Sequence, residues 1–339
     1  MSVRVDARRF QCHTSAFVKA LLKQFEKVRV LVIGDLLADH YLSGQTERVS
    51  REAPVLIVRH EFDEVKLGGG ANAAANARAL GAKVSAIGVL GKDLIGEQMV
   101  ELFTAQGIRC AAVRNHGVVT ETRTRILAGG VSTTRQQMLR IDRGAVGPLS
   151  PAAQQALARS LLTLGRSADV IMVSDYGAGV LNDVTRAALR TLAASVPVSV
   201  DSRFSLRAFQ GMTICKPNEP ELAALAGGLP VHTDAEVIAA GSLVRASLKC
   251  RILLVTRGRK GMALFEQGKK PRLIEVFGSD EAVDVTGAGD TVCAAFSLAI
   301  GAGASAQEAA QLANIAGALV VQKEGTATVS RAELEAQLP

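Results

Sequence analysis

The 339-residue chain has no tryptophan, two tyrosines and only 4% aromatic residues. That scarcity argues against nucleic-acid binding despite a net charge of +7, since such binding interleaves aromatic stacking with dense basic blocks, which are also missing. No uninterrupted apolar run is long enough to span a bilayer. The amino-terminal charges are not followed by the apolar stretch of a secretory signal. Neither a membrane nor a nucleic-acid partner is therefore expected. The five cysteines, Cys12, Cys110, Cys215, Cys250 and Cys293, are odd in number, dispersed and without C-x-x-C spacing. They read as reduced, buried thiols of a cytoplasmic protein, not as disulfides or a zinc site. Repeats and low-complexity tracts are absent too. An apolar content of 48% against 21% charged residues suits a well-packed globular core.

What is present is an alternation. "VRVLVIGD" (Val28 to Asp35) is a β-branched run ending in Gly-Asp, the pattern of a buried parallel strand. Similar runs begin at Lys83, Asp169, Val196, Met212 and Arg251, with Ala/Leu-rich helical stretches between them. Strand–helix alternation of this kind predicts βαβ units and an α/β fold built on a doubly wound parallel sheet. Asp35, Asp175, Asp201 and Asn218 end such runs, at the carboxyl edge where open α/β sheets bind ligands. Residues 41–62 and 112–142 break the alternation and read as short strands forming a β-lid over that edge. Residues 1–26 read as a peripheral helical extension, and 27–339 as one large domain.

Two glycine-rich loops invite chemistry. "GGGANA" (Gly68 to Ala73) formally fits a dinucleotide-binding turn, with Asp93 lying downstream, but the segment before it is charged and short rather than a buried first strand. A structural helix start remains open there. The preferred reading is a backbone that a ligand approaches closely, glycine having no Cβ to block it. Asn72 then offers an amide that both donates to and accepts from sugar hydroxyls. "TGAGDT" (Thr286 to Thr291) lacks the lysine and spacing of a Walker A loop. Its Gly287 and Gly289 let successive N–H groups turn toward one point at the positive end of the next helix, an arrangement that stabilises a phosphoryl group. Asp290 at the helix start is either an N-cap or a general base for an attacking hydroxyl. Asn218 and Glu221, in "KPNEPE", are oxygen donors able to hold Mg²⁺ through water. Thr256 and Gly258 mark a tight turn between two further strands.

These residues, in this order, resemble the ribokinase/PfkB family of carbohydrate kinases over nearly the whole chain beyond its first residues. The resemblance rests on "GGGANAAANARALGA", the N-x-x-E of Asn218 and Glu221, and "DVTGAGDT". It implies a ribokinase-like core of mostly parallel sheet with a small β-sheet lid, and transfer of the ATP γ-phosphoryl group to a sugar hydroxyl. Asp290 is then the base, and Gly287, Ala288 and Gly289 form the anion hole. Asn218 and Glu221 support Mg·ATP, while Thr256, Gly258 and Asn314 line the nucleotide pocket. Asp35, Gly68, Gly69 and Asn72 hold the sugar. A monovalent cation behind the Asp284 loop and pairing of lid strands into a homodimer also belong to the family's pattern.

Within the family, the chain is most similar to kinases that act on the anomeric hydroxyl of D-glycero-β-D-manno-heptose 7-phosphate, through "GDLLADHY", "RVSREAP", "RQQMLRID", "SDYGAG" and "VTRGRKGM". Between Arg109 and Arg143 stand seven arginines against two acids, Glu121 and Asp142. A solvated face explains such a bias; a phosphorylated substrate is the sharper explanation. Arg125, Arg135, Arg140, Asp175 and Arg203 are accordingly expected at the substrate. The match has gaps: Ala178 replaces a lysine of the Asp-Tyr-x-Lys-Gly pattern, Arg203 stands where a lysine is usual, and Arg135 comes one position late. No H-x-G-H motif of a fused adenylyltransferase occurs, so the kinase step alone is expected. A PfkB-type kinase for another sugar, nucleoside or sugar phosphate is the alternative within the class. A nicotinamide-dependent oxidoreductase and a non-catalytic sugar sensor are the alternatives outside it.

Overall fold

The computed structural model describes residues 14–115, 117–130, 135–144, 148–278 and 282–337. Cys12 and the first thirteen residues of the expected extension lie outside them. The chain begins with α1 (Thr14–Gln24), β1 (Arg29–Gly34), β2 (Leu36–Val49) and β3 (Leu56–Gly69), then α2 (Gly70–Ala79), β4 (Lys83–Ile87) and β5 (Val89–Gly91). After α3 (Leu94–Ala105) come β6 (Arg109–Cys110), β7 (Val113–Asn115), β8 (Thr122–Gly129) and β9 (Gln136–Arg143). The alternation resumes with α4 (Pro151–Gly165), β10 (Val170–Asp175), α5 (Asp183–Leu192), β11 (Val198–Ser202), β12 (Ile214–Cys215), α6 (Glu219–Leu225) and α7 (Asp234–Leu248). The end of the fold is β13 (Ile252–Thr256), β14 (Met262–Glu266), β15 (Arg272–Ile274), α8 (Ala288–Gly301), α9 (Ala306–Val320) and α10 (Arg331–Glu335).

The main sheet has nine strands in the order β15-β14-β13-β12-β11-β10-β1-β4-β6. Pairing is parallel from β13 through β6, and antiparallel only at the β14 and β15 edge. In β1, alternate residues serve opposite faces. Val30 and Val32 join one core with α1, α2, α8 and α9; Leu31 and Ile33 join the other with α4, α5 and α7. This is the doubly wound α/β architecture that the alternation predicts. The first core is closed by small residues: Ala71, Ala74 and Ala77 of α2 are buried, as are Ala294, Ala295 and Ala299 of α8. Side chains of that size let helices approach closely, and burying them is favourable because the packing leaves few voids. Leu22 and Phe25 are fully buried in the same core, so the segment expected to be peripheral is built into it. Apolar side chains at 18, 21, 22 and 25 give it the helical stripe that drives this packing.

A second, four-stranded sheet, β3-β2-β8-β9, rises from the carboxyl edge. Its strands run longer toward the core than the 41–62 segment, beginning at Leu36 and returning at Gly69. The stretch at 113–115 does not join it. It pairs instead with β5 as a separate two-stranded ladder.

Candidate active site

The ends of β1, β10, β11, β12 and β13 meet the start of α8 at one edge of the main sheet. Gly287 is the N-cap of α8 and has φ of 76°, in the left-handed region. A Cβ there would lie 2.7 Å from the Asn72 amide nitrogen, so backbone conformation and space both require glycine. Asp290 stands in the first turn of the helix and is not its cap. It is buried, and its carboxylate accepts hydrogen bonds from Asn72 Nδ2 at 2.8 Å and from the Tyr176 hydroxyl at 3.1 and 3.3 Å. The Asn72 amide is itself oriented: Asn76 Nδ2 donates to its Oδ1, and Thr291 Oγ1 donates to Asn76 Oδ1. With its oxygen engaged, Asn72 presents its N–H groups to Asp290. Burial pushes the Asp290 carboxyl up to about 7, against the hydrogen bond from Asn72. The neighbouring Asp201 pushes the same way, while Tyr176 and Lys216 oppose it.

Lys216, at the end of β12, is buried and paired with Asp201 at 2.8 Å. Burial alone would depress this ammonium, yet the Asp201 carboxylate carries its pKa upward, so it stays charged. A Cβ on Gly289 would lie 3.6 Å from Lys216 Nζ, which places the ammonium just beneath the start of α8. Asp35 occupies the single position between β1 and β2. Its carboxylate accepts from the backbone N–H groups of Tyr176, Ala178 and Val180 and thereby shapes the loop that carries Tyr176. Asp175 accepts from Ser202 and Ser205 Oγ and from Gly177 N.

Thr256, Gly258, Ala288, Gly289 and Asn314 line one cavity of about 300 Å³, with Val276, Val285, Val292 and Val321 among its apolar walls. Asn314 Nδ2 donates to the Glu275 carbonyl at 2.7 Å. Asn218 forms a bridge to Thr256, bringing "KPNEPE" against this cavity. Asn218 and Glu221 make a reciprocal capping box on α6: Asn218 Oδ1 accepts from Glu221 N, and Glu221 Oε2 accepts from Asn218 N. Glu221 Oε1 has no protein partner among the described residues. Asp284 accepts from Thr286 N and Gly325 N. Among the described residues, no three His, Cys, Asp or Glu side chains group as metal ligands.

Other expected residues find partners within the protein. A Cβ at Gly68 would lie 2.5 Å from the Asp39 carboxylate, and one at Gly69, whose φ is 53°, 2.7 Å from Leu37. The space a Cβ would take at these glycines is thus filled by neighbouring protein, at the root where β3 runs into α2. Arg125 pairs with buried Asp39 at 2.6 Å, Arg135 with Glu61, and Arg140 with both oxygens of Asp142 at 2.7 and 2.6 Å. Arg203 lies over the Phe204 ring. The residue-by-residue reading missed Tyr176, Lys216 and the orienting Asn76. A usable signal for Tyr176 was its rarity: both tyrosines lie at this edge, Tyr41 bonding Thr326 and Tyr176 bonding Asp290.

The sequence profile described as pfkB family carbohydrate kinase matches residues 27–333. The bifunctional protein HldE of Aeromonas hydrophila is 38% identical over 324 residues, which is 94% of this chain and 65% of that protein. That of Azorhizobium caulinodans is 39% identical over 322 residues, covering 94% of this chain and 66% of its own length. The chain thus spans just under two thirds of these relatives. The structure of Arabidopsis thaliana ribokinase complexed with ribose and ATP superposes with a TM-score of 0.70 at 25% identity, covering 92% of this chain and 98% of that one. Phosphofructokinase-2 from Escherichia coli, in complex with substrates and products, gives a TM-score of 0.75 at 21% identity over 92% of this chain and 99% of its own. The latter likeness is one of fold.

Proposed function

The chain belongs to the pfkB family of carbohydrate kinases, phosphotransferases with an alcohol group as acceptor, and on that premise we propose that it phosphorylates the anomeric hydroxyl of D-glycero-β-D-manno-heptose 7-phosphate. The product is the 1,7-bisphosphate, on the route to the ADP-heptose of lipopolysaccharide core, and the setting is cytoplasmic. The observation that carries the kinase chemistry is Asp290, a buried carboxyl near neutrality, held by two donors in the first turn of a helix. A base with a pKa close to working pH takes a proton from an attacking hydroxyl efficiently. The heptose reading rests on the motif resemblance and is supported by the 38% identity to bifunctional protein HldE.

The cavity beside α8 suits a nucleotide: an apolar slot for a base at Val285, Val292 and Val321, with Thr256, Gly258 and Asn314 for polar contacts. When bound, Mg·ATP supplies the phosphoryl group and a divalent charge that offsets its oxygens. The N–H groups of Gly287, Ala288 and Gly289 form the anion hole at the positive end of α8, and Lys216 adds fixed positive charge beneath it. Asn218 and Glu221 support the Mg²⁺ through water. A cap that keeps Glu221 Oε1 free fits an ion that retains its own waters. Asp290 receives the proton of the sugar hydroxyl, with the sugar held between the lid and the wall formed by Asp35 and Asn72. The exposed apolar side chains of the lid, including Leu139 and Ile141 of β9, suit pairing with a second copy into a homodimer.

The test is a screen of ADP release with free sugars, nucleosides and sugar phosphates, including the heptose 7-phosphate. The heptose 7-phosphate is expected to give the highest kcat/KM. A higher value with another acceptor removes the heptose reading and keeps the kinase; no ADP release above background with any acceptor removes both.

A further inference from the structure

Arginines dominate one stretch of the lid, yet most of them are already neutralised. Arg125, Arg135 and Arg140 each bind a carboxylate. Arg123, on β8, is different. It is half-buried, and its side chain makes no hydrogen bond or ion pair among the described residues, although its charge helps hold the Asp142 carboxyl low. Two carboxylates flank it across the strands, Asp39 on β2 and Asp142 on β9. Both are committed elsewhere. Asp39 accepts from Arg125 and Thr326, and Asp142 gives both oxygens to Arg140. What supports Arg123 is a ring: its guanidinium lies 4.9 Å from the centre of Tyr176. A guanidinium stacked on an aromatic face keeps its N–H edge free for a planar, bidentate anion.

The position of that ring matters. One phenol touches both charged groups: its face meets the guanidinium at 4.9 Å, and its hydroxyl meets the Asp290 carboxylate at 3.1 Å. A sugar ring is of similar size. One end of a sugar phosphate could meet Asp290 with its hydroxyl while the other meets Arg123 with its phosphate. The 176–180 loop offers no competing cation, since position 178 is alanine and its N–H is bonded to Asp35. Arg203, next to that loop, is exposed and lies over the Phe204 ring.

We infer that Arg123 is the specificity-determining residue that receives the phosphomonoester of the sugar substrate. This rests on the proposed sugar-phosphate kinase reading. It assigns the anion to a residue outside the Arg125, Arg135 and Arg140 set. Those three brace the lid.

The experiment compares Arg123→Met and Arg123→Lys with the unaltered protein. Steady-state kinetics are measured with the heptose 7-phosphate, or the sugar phosphate preferred in the screen, and with the same sugar lacking phosphate. Losing a charge-assisted bidentate contact is expected to raise KM for the phosphorylated sugar about 10- to 150-fold. The expectation also includes a nearly constant kcat, an unchanged KM for ATP and unchanged turnover of the free sugar. Arg123→Lys should recover part of the loss, as a point charge without the fork. Equal losses on both sugars, or an unchanged preference for the phosphorylated one, overturn the assignment. If the unaltered protein prefers a different sugar phosphate, the same selective loss supports Arg123 and removes only the heptose. If it handles phosphorylated and free sugars alike, both readings fall.

Discussion

Replacing Asp290 by asparagine should damage catalysis and relieve the fold, and the two effects have separate sizes and separate pH dependences. Asparagine keeps the shape and can still accept from Asn72 or Tyr176, but it cannot take a proton. Loss of general-base help costs about 10²–10⁴ in kcat, and ATP binding should be little changed. The stability effect follows from burial. The carboxyl rises from an ordinary 3.8 to about 7 on folding. A raised carboxyl favours the folded state fully below its unfolded pKa, and that advantage is lost as pH climbs through the folded pKa. At about 1.4 kcal/mol per unit, charging buried Asp290 costs the native protein about 4 kcal/mol by pH 8. The asparagine variant has no such loss. Its stability relative to the parent should therefore grow by about 2–3 kcal/mol between pH 5 and pH 8. Urea unfolding at the two pH values measures this, and steady-state kinetics measure the rest. A stability difference that stays flat with pH refutes the buried, raised carboxyl, and near-normal turnover refutes the base.

Tyr176→Phe keeps the ring beneath Arg123 but removes a donor that holds Asp290 below where burial alone would put it. The acid limb of kcat/KM should move up by about one pH unit, so activity falls more at pH 6.5 than at pH 9; equal loss at both would sink this role. Gly287→Ala meets an unfavourable φ of 76° and the Asn72 amide 2.7 Å away. It should lower stability by about 1–2 kcal/mol and cut kcat at least tenfold, since the displaced amide is the one that holds Asp290. Gly268→Ala is the matched control, because its φ is 77° but nothing lies within 4 Å of its Cβ, so only the backbone cost applies and kcat should survive.

Much of the core was readable because parallel strands leave a strong trace: β1 and β10 are almost unbroken apolar runs buried on both sides. Asp290, Asn72, Asn218 and Thr256 were readable because glycine and strand-end signals flank them. Arg123 and Tyr176 were not. Their meeting depends on a lid strand and a core loop more than fifty residues apart in sequence, and no local pattern encodes which arginine lacks a carboxylate. Gly68 and Gly69 are ambiguous for a related reason. A missing Cβ leaves room for a ligand or for a neighbouring strand, and no local pattern shows that Asp39 and Leu37 are the side chains brought against them.

Both strands that carry the lid are rooted in residues that grip the proposed base. The outgoing strand leaves through Asp35, whose carboxylate fixes the backbone of Tyr176. The returning strand runs without a loop into the helix that presents Asn72 three residues later. Asp290 is held between these two roots. The roots of the lid and the two donors to Asp290 thus belong to one continuous piece of structure.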